Sequence, residues 1–162
     1  QGISFIHAGE EMARSKVDES GKLVENSFAS SDKVNGICWD RKVKYKELVE
    51  YYKGLISLRK EYKAFRMNSN KEIQRNIHFL EKGNEFEADN LVAYLIDSKN
   101  IDNKCSKIAV IINANEKEET IKLNEKNWGV LVDEKKAGTE IIERIDSDVV
   151  MVPAKSIKVL IK

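Results

Sequence analysis

The apolar residues of this chain change their period once, near residues 67–70 (MNSN), and that change limits what each part can fold into. Upstream, residues 45–62 (YKELVEYYKGLISLRKEY) place Leu48, Val49, Tyr52, Leu55, Ile56 and Tyr62 at helical spacing, with Glu47, Glu50, Lys53 and Lys60 on the wet side. This predicts an amphipathic helix. Gly54 is its weak point, costing about 1 kcal/mol against alanine unless it permits a close approach. Downstream, the pattern becomes that of short strands rich in Val, Ile and Leu. They are residues 73–81, 91–97, 107–113, 120–123, 128–133, 140–145, 149–152 and 157–161. Turn residues separate them: Gly83-Asn84, Asn113-Ala114-Asn115, Asn124, Gly138 and Asp146-Ser147-Asp148. Short strands at regular spacing predict an antiparallel β-sandwich. Residues 107–112 (KIAVII) are nearly all apolar and belong at its centre, whereas residues 120–123 alternate and should keep one wet face. Pro153 lies between two strand runs, where its missing N–H does no harm.

The region before the helix has a different character. Residues 3–8 (ISFIHA) are apolar on both faces, as in a parallel strand buried on both sides, and such a strand needs neighbours from outside this sequence. Residues 9–42 are loop-like, punctuated by Gly21, Asn26, Ser27, Ser30, Ser31, Asp32, Asn35 and Gly36. A connection of that length suggests a functional loop. Strand, long loop and helix together form the last unit of an α/β architecture. The chain opens on Gln1 without an initiating Met or a leader-like segment, as expected of a piece cut from a longer protein.

Charge excludes some partners. The chain has 28 basic and 27 acidic side chains, a net charge of +1, so it carries no electrostatic footprint for nucleic acid or an anionic membrane. No stretch approaches the roughly 20 apolar residues of a membrane span. Cys38 and Cys105 lie far apart, form no CxxC or Cys/His cluster, and read as buried free thiols. No metal or other cofactor is implied.

At residues 2–11 (GISFIHAGEE) the sequence resembles the eighth barrel strand and following turn of the α-amylase superfamily. Asn26-Ser27-Phe28, Asp32-Lys33-Val34-Asn35, Ile37-Cys38-Trp39, residues 51–60 (YYKGLISLRK) and Ala64-Phe65-Arg66 resemble type I pullulanases in order and spacing. So do residues 110–115 (VIINAN), 136–140 (KAGTE) and 152–156 (VPAKS). The chain departs from the family's frequent residues at Ser4, Phe28, Gly36, Cys38 and Lys63, as a divergent member would. The resemblance implies a mainly β chain: residues 1–67 ending a catalytic (β/α)8 barrel, and residues 68–162 forming a C-terminal antiparallel β-sandwich. It also implies a parent enzyme that hydrolyses α-1,6 linkages in pullulan, glycogen or limit dextrins by a retaining mechanism. That chemistry uses an Asp nucleophile, a Glu acid/base and a second Asp, all on earlier barrel strands. No catalytic residue is assigned in this chain. Its expected partners are α-glucan, through the parent enzyme, and the rest of the barrel.

Several residues invite stronger readings. Adjacent Glu10 and Glu11 project in different directions from an extended turn, so they suit fixing that turn better than flanking one bond. His7 would need a helix to gather it with them around a metal, and Gly9 after a strand run opposes one; His78 stands alone. Asn26, Asp32 and Asn35 in the long loop are the candidate sugar-binding residues, although such residues also form turns. Trp39 and Trp128 could stack on sugars but lie beside apolar residues and read as packing. The Lys/Glu runs at residues 115–119 and 133–136 read as solvated turns. Three functions compete: a fragment of an enzyme, an independent α-glucan-binding module, and a structural domain. A row of exposed aromatics on one sheet face would mark the second, and with 7% aromatic residues no such row is visible in the sequence.

Overall fold

The computed structural model describes Gln1–Lys162, which pack as two units: Ile3–Tyr52, and Gln1–Gly2 together with Lys53–Lys162. In the first unit, short helices α1 (Asp32–Asn35) and α2 (Arg41–Lys44) interrupt an irregular chain. Helix α3 (Lys46–Glu61) follows, one residue shorter at each end than its periodicity predicts. The packing division falls within α3, upstream of the change in period, because the second half of this helix groups with the residues that follow it. No helix is long and apolar enough to cross a membrane.

The larger unit continues with α4 (Asn70–Asn76) and the strands β1 (Ile77–Phe79), β2 (Leu91–Asp97), β3 (Lys107–Asn113), β4 (Glu119–Lys122), β5 (Trp128–Val132), β6 (Glu143–Ile145), β7 (Val149–Val152) and β8 (Ser156–Ile161). Every pairing between them is antiparallel. A six-stranded sheet runs β1-β2-β3-β8-β5-β6, and β4 pairs with β7 in a second sheet. The sheets share one core of Leu91, Ala93, Ala109, Ile111, Trp128, Val130 and Leu160 from the first and Ile121, Val150 and Val152 from the second. Strand β3 is interior to its sheet and buries Ile108 and Val110 on one face and Ala109 and Ile111 on the other, as its unbroken apolar run requires. Strand β4 alternates, burying Ile121 between exposed Thr120 and Lys122.

Asn113 ties the sheets at one end. It is buried, and the two protons of its amide are shared among the carbonyls of Lys117 (2.9 Å), Val152 (3.0 Å) and Pro153 (2.9 Å). Its Oδ1 accepts from the Asn115 backbone N–H at 2.9 Å and from the Asn115 side-chain amide at 3.0 Å. At the other end, Glu125 accepts from Lys107 and, at 2.7 Å, from Lys162.

Several expectations fail. Residues 3–8 form no strand, and Ile3 and Phe5 are fully or almost fully exposed. An apolar run becomes a buried strand only when neighbours take its backbone hydrogen bonds, and this chain supplies none. Residues 73–81 begin as helix, because the Ser69 side chain accepts the Glu72 N–H at 3.1 Å and starts α4; only Ile77–Phe79 is strand. This is the Ser-x-x-Glu pattern of a helix start, and here it overrides strand propensity. Within residues 140–145 only Glu143–Ile145 is strand. Cys38 is exposed, not buried, whereas Cys105 is buried against Ser98, whose Oγ lies 3.3 Å from its sulfur.

The apolar face of α3 is covered unevenly. Val49 and Leu58 are buried, Leu48, Tyr52 and Leu55 half-buried, and Ile56 exposed. In the larger unit the helix is held at both ends of its second half. Gly54 meets Ala137 so closely that a Cβ there would lie 1.9 Å from the Ala137 carbonyl oxygen. Past the helix, the buried Asp102 carboxylate in the β2–β3 connection accepts the backbone N–H groups of Lys63 (3.0 Å) and Ala64 (2.8 Å).

Gly54→Ala therefore sets a helix-propensity gain of about 1 kcal/mol against a backbone collision. The collision should win, with a net loss of roughly 1–3 kcal/mol in denaturant melts. Gly138→Ala, whose Cβ would meet nothing within 4 Å, should stay within about 0.5 kcal/mol of the parent. An unchanged Gly54→Ala melt would show that the helix is not held this way.

The hydrogen bonds from Lys107, then Lys162, hold the Glu125 carboxyl below its usual range. A carboxyl depressed in the folded state contributes stability above its unfolded pKa, about 4.3, and loses it as pH falls through the folded value. Glu125→Gln should lower stability by up to about 1 kcal/mol at pH 7. The gap between the two proteins should narrow as the pH falls below about 4.5. A gap independent of pH would show that the loss comes from packing.

Candidate functional site: the loop of Ile3–Tyr52

The sequence candidates lie in the smaller unit, and the structure separates their roles. Asn35 is half-buried and its amide is committed to the loop: Nδ2 donates to the carbonyls of Ser27 (2.7 Å) and Ser30 (2.9 Å), and Oδ1 accepts from Ser27 Oγ at 3.1 Å. Ser27 Oγ also accepts from Lys16 Nζ at 2.8 Å. These bonds bring the turn at Asn26–Ser27 alongside α1. Asn26 occupies the left-handed region, with φ 52° and ψ 50°. Its side chain and that of Asp32 are exposed and make no hydrogen bond within the protein. Asn26 and Asp32 thus present free polar groups to solvent, and Asn35 shapes the loop that carries them.

Two arginines that the sequence did not single out fix the rest. Arg14 donates through one terminal nitrogen to the Ala8 carbonyl at 3.0 Å and through the other to the Asn35 carbonyl, while its Nε is buried without a partner. Arg41 donates to the carbonyls of Met12 (3.3 Å) and Ala13 and lies 4.9 Å from the centre of the Tyr45 ring. Isolated arginines in a polar loop leave no periodic trace, so no pattern could have marked them. Gly9 (φ +92°) is more legible, because a Cβ there would lie 2.7 Å from the Arg14 side chain.

Glu10 and Glu11 serve the turn between the first residues and this loop. Glu10 accepts the His7 backbone N–H at 3.1 Å and the Tyr52 hydroxyl at 3.3 Å, and Glu11 accepts the Gly9 N–H at 3.0 Å. Desolvation first, then the two carboxylates, push the Tyr52 phenol above its usual range and keep it a neutral donor. No three His, Cys, Asp or Glu side chains gather as metal ligands would.

The tryptophans part company. Trp128 is fully buried and donates its indole N–H to the Glu125 carbonyl at 2.9 Å. Trp39, expected to pack, is 66% exposed, and Phe28 is 85% exposed. The loop therefore offers Asn26, Phe28, Asp32 and Trp39 as side chains free to meet a ligand. Hydrogen-bonding side chains and exposed ring faces are the groups that recognise a sugar.

Asn35→Ala removes the loop's internal amide bonds. It should cost about 1–3 kcal/mol locally, read as faster amide hydrogen exchange across Ser27–Asn35 with β3 protection unchanged. Unchanged exchange in that segment would show that other bonds hold the loop.

Residues 41–162 match the family model described as alpha-1,6-glucosidases, pullulanase-type, C-terminal. A pullulanase of Bacillus subtilis (strain 168) is 48% identical over 80 residues, 49% of this chain and 10% of that protein. Pullulanase A of Streptococcus pneumoniae serotype 2 is 30% identical over 183 residues, 86% of this chain and 14% of that protein. Among solved structures, the type I pullulanase of B. subtilis in complex with maltose superposes with a TM-score of 0.82 at 33% identity, covering 99% of this chain and 21% of that one. The chain thus spans only 10–14% of the length of these curated relatives.

Proposed function

The chain belongs to the family of C-terminal regions of pullulanase-type alpha-1,6-glucosidases, and from that premise we propose that it is the C-terminal part of an enzyme that hydrolyses α-1,6 branch linkages in α-glucans. The observation that carries this reading is the family match over residues 41–162, a stretch that includes both sheets. In the parent, residues 1–67 supply the last strand, long loop and final helix of a (β/α)8 barrel, and residues 68–162 form the sandwich that supports it. The apolar but strandless residues 3–8 favour this division, because they have the composition of a buried barrel strand without its neighbours.

The chain contributes binding and support, not the reacting carboxylates. A retaining glycosidase holds two carboxyl groups about 5–5.5 Å apart across the bond to be broken. Glu10 and Glu11 are adjacent in sequence and already accept hydrogen bonds from the turn and from Tyr52, so they do not suit that role. The Asp nucleophile, the Glu acid/base and the second Asp belong to earlier parts of the parent. Asn26 and Asp32 contact sugar hydroxyls, and Asn35 holds the loop in place for them. The second half of α3, fixed on the sheet unit through Gly54 and the 63–64 backbone, makes that unit a rigid buttress.

Two measurements test this. The 162-residue chain should release no reducing ends from pullulan above a buffer control, whereas the longer protein containing it should; release by the chain alone would overturn the reading. In that longer protein, Asn26→Gly keeps the left-handed backbone and removes only the amide. It should raise KM for pullulan roughly fivefold, the loss of one good hydrogen bond, with thermal stability unchanged. An unchanged KM would remove Asn26 from the sugar contacts.

A further inference from the structure

The sequence shows no row of aromatics, but the fold assembles a short one. Strand β1 is an edge strand, and its Phe79 stands directly opposite Tyr94 of β2. Their ring centres are 5.6 Å apart with the planes tilted by 51°. Phe79 is 67% exposed, whereas Tyr94 is half-buried. Both line an open groove of about 670 Å³ whose other walls include Phe65, Ile73, Gln74 and Arg59. Residues from the turn after α3, from α4 and from two strands thus converge on one concavity.

The chemistry of this groove is specific. No carboxylate lines it. Its one cation is engaged, with Arg59 donating to the carbonyls of Phe65 (2.5 Å) and Gly2 (2.7 Å). The amide of Gln1, also in the wall, is spent on the Ala64 carbonyl and the Met67 N–H. The Gln74 amide and the Tyr94 hydroxyl have no partner within the protein. Burial pushes the Tyr94 phenol up, so it remains a neutral donor. The exposed Phe79 ring beside free neutral donors and acceptors, without an available counter-charge, suits a polyhydroxylated uncharged ligand. The volume falls within the ordinary range of about 300–1,000 Å³ for small-ligand sites.

We infer that this groove binds a short stretch of α-glucan, with one glucosyl face on Phe79 and its hydroxyls on Gln74 and Tyr94. The choice of α-glucan among neutral sugars rests on the proposed function above. Gln1, Arg59 and Phe65 belong to residues 1–67, so the site lies where the strands meet the segment assigned above to the barrel.

The test uses the 162-residue chain with maltotetraose as the probe, followed by amide chemical shifts. Saturable shifts should centre on Phe65, Ile73, Gln74, Phe79 and Tyr94. Phe79→Ala and Gln74→Ala should each weaken binding by about fivefold. Val43→Ala, an exposed residue of the other unit, should leave these groove shifts unchanged. Absence of saturable shifts at the groove overturns the inference, as does a Phe79→Ala variant that alters self-association in sedimentation while leaving maltotetraose affinity intact. Shifts with cellotetraose and none with maltotetraose overturn the α-glucan assignment. Pullulan hydrolysis by the longer protein is read separately, so a failed groove and a failed debranching assignment are distinguishable.

Discussion

Helix α3 can approach the sheet unit only because residue 54 has no side chain. A Cβ at Gly54 would overlap the Ala137 carbonyl, so the glycine that weakens the helix intrinsically also lets it pack. The buried Asp102 then takes the Lys63 and Ala64 N–H groups just past the helix end, supplying two charge-assisted bonds where the chain leaves helical geometry. Helix and sheet unit thus behave as one packed body from Lys53 onward. The groove beside β1 depends on this contact, because Arg59 and Phe65 reach its wall from the helix and the turn that the contact fixes.

The sheets use the same economy of polar groups. Asn113 binds the β3 end to the turn after β7 and, through Asn115, to its own turn. In the loop unit Asn35 plays the equivalent part, while Arg14 and Arg41 satisfy carbonyls that no strand or helix can. Irregular chain needs such side-chain donors, because its backbone groups lack a ladder. The proposed sugar contacts at Asn26 and Asp32 depend on that scaffold in turn. Their side chains are free because Asn35 and the arginines hold the loop.

Much of the strand content was legible because burial on one or both faces writes itself into a period of two or an unbroken apolar run. Residues 91–97, 107–113 and 149–152 are strands with the expected bounds, and Gly83 and Asn124, two of the expected turn residues, adopt positive φ. The start of α4 is also legible in Ser69 and Glu72, whose capping pattern prevails over the strand propensity of the residues that follow. Trp39 and Cys38 could not be read this way. Their exposure depends on which neighbours reach them, and apolar residues adjacent in sequence do not supply those neighbours. Among the sugar-binding candidates Asn26, Asp32 and Asn35, hydrogen bonding separates Asn35 from the other two.

Sequence by itself determined the antiparallel sheets, helix α3 and the turns between strands, because each is dictated by the periodicity and backbone preference of residues near one another in the chain. It also carried the family resemblance, since that lies in ordered short motifs. Only the tertiary structure decided that Gly54 is a contact and not a flaw, that Asn113 bridges two sheets, and that Phe65, Phe79 and Tyr94 share one groove. These facts join residues tens of positions apart, whose proximity follows from strand register and helix docking and leaves no local trace in the sequence.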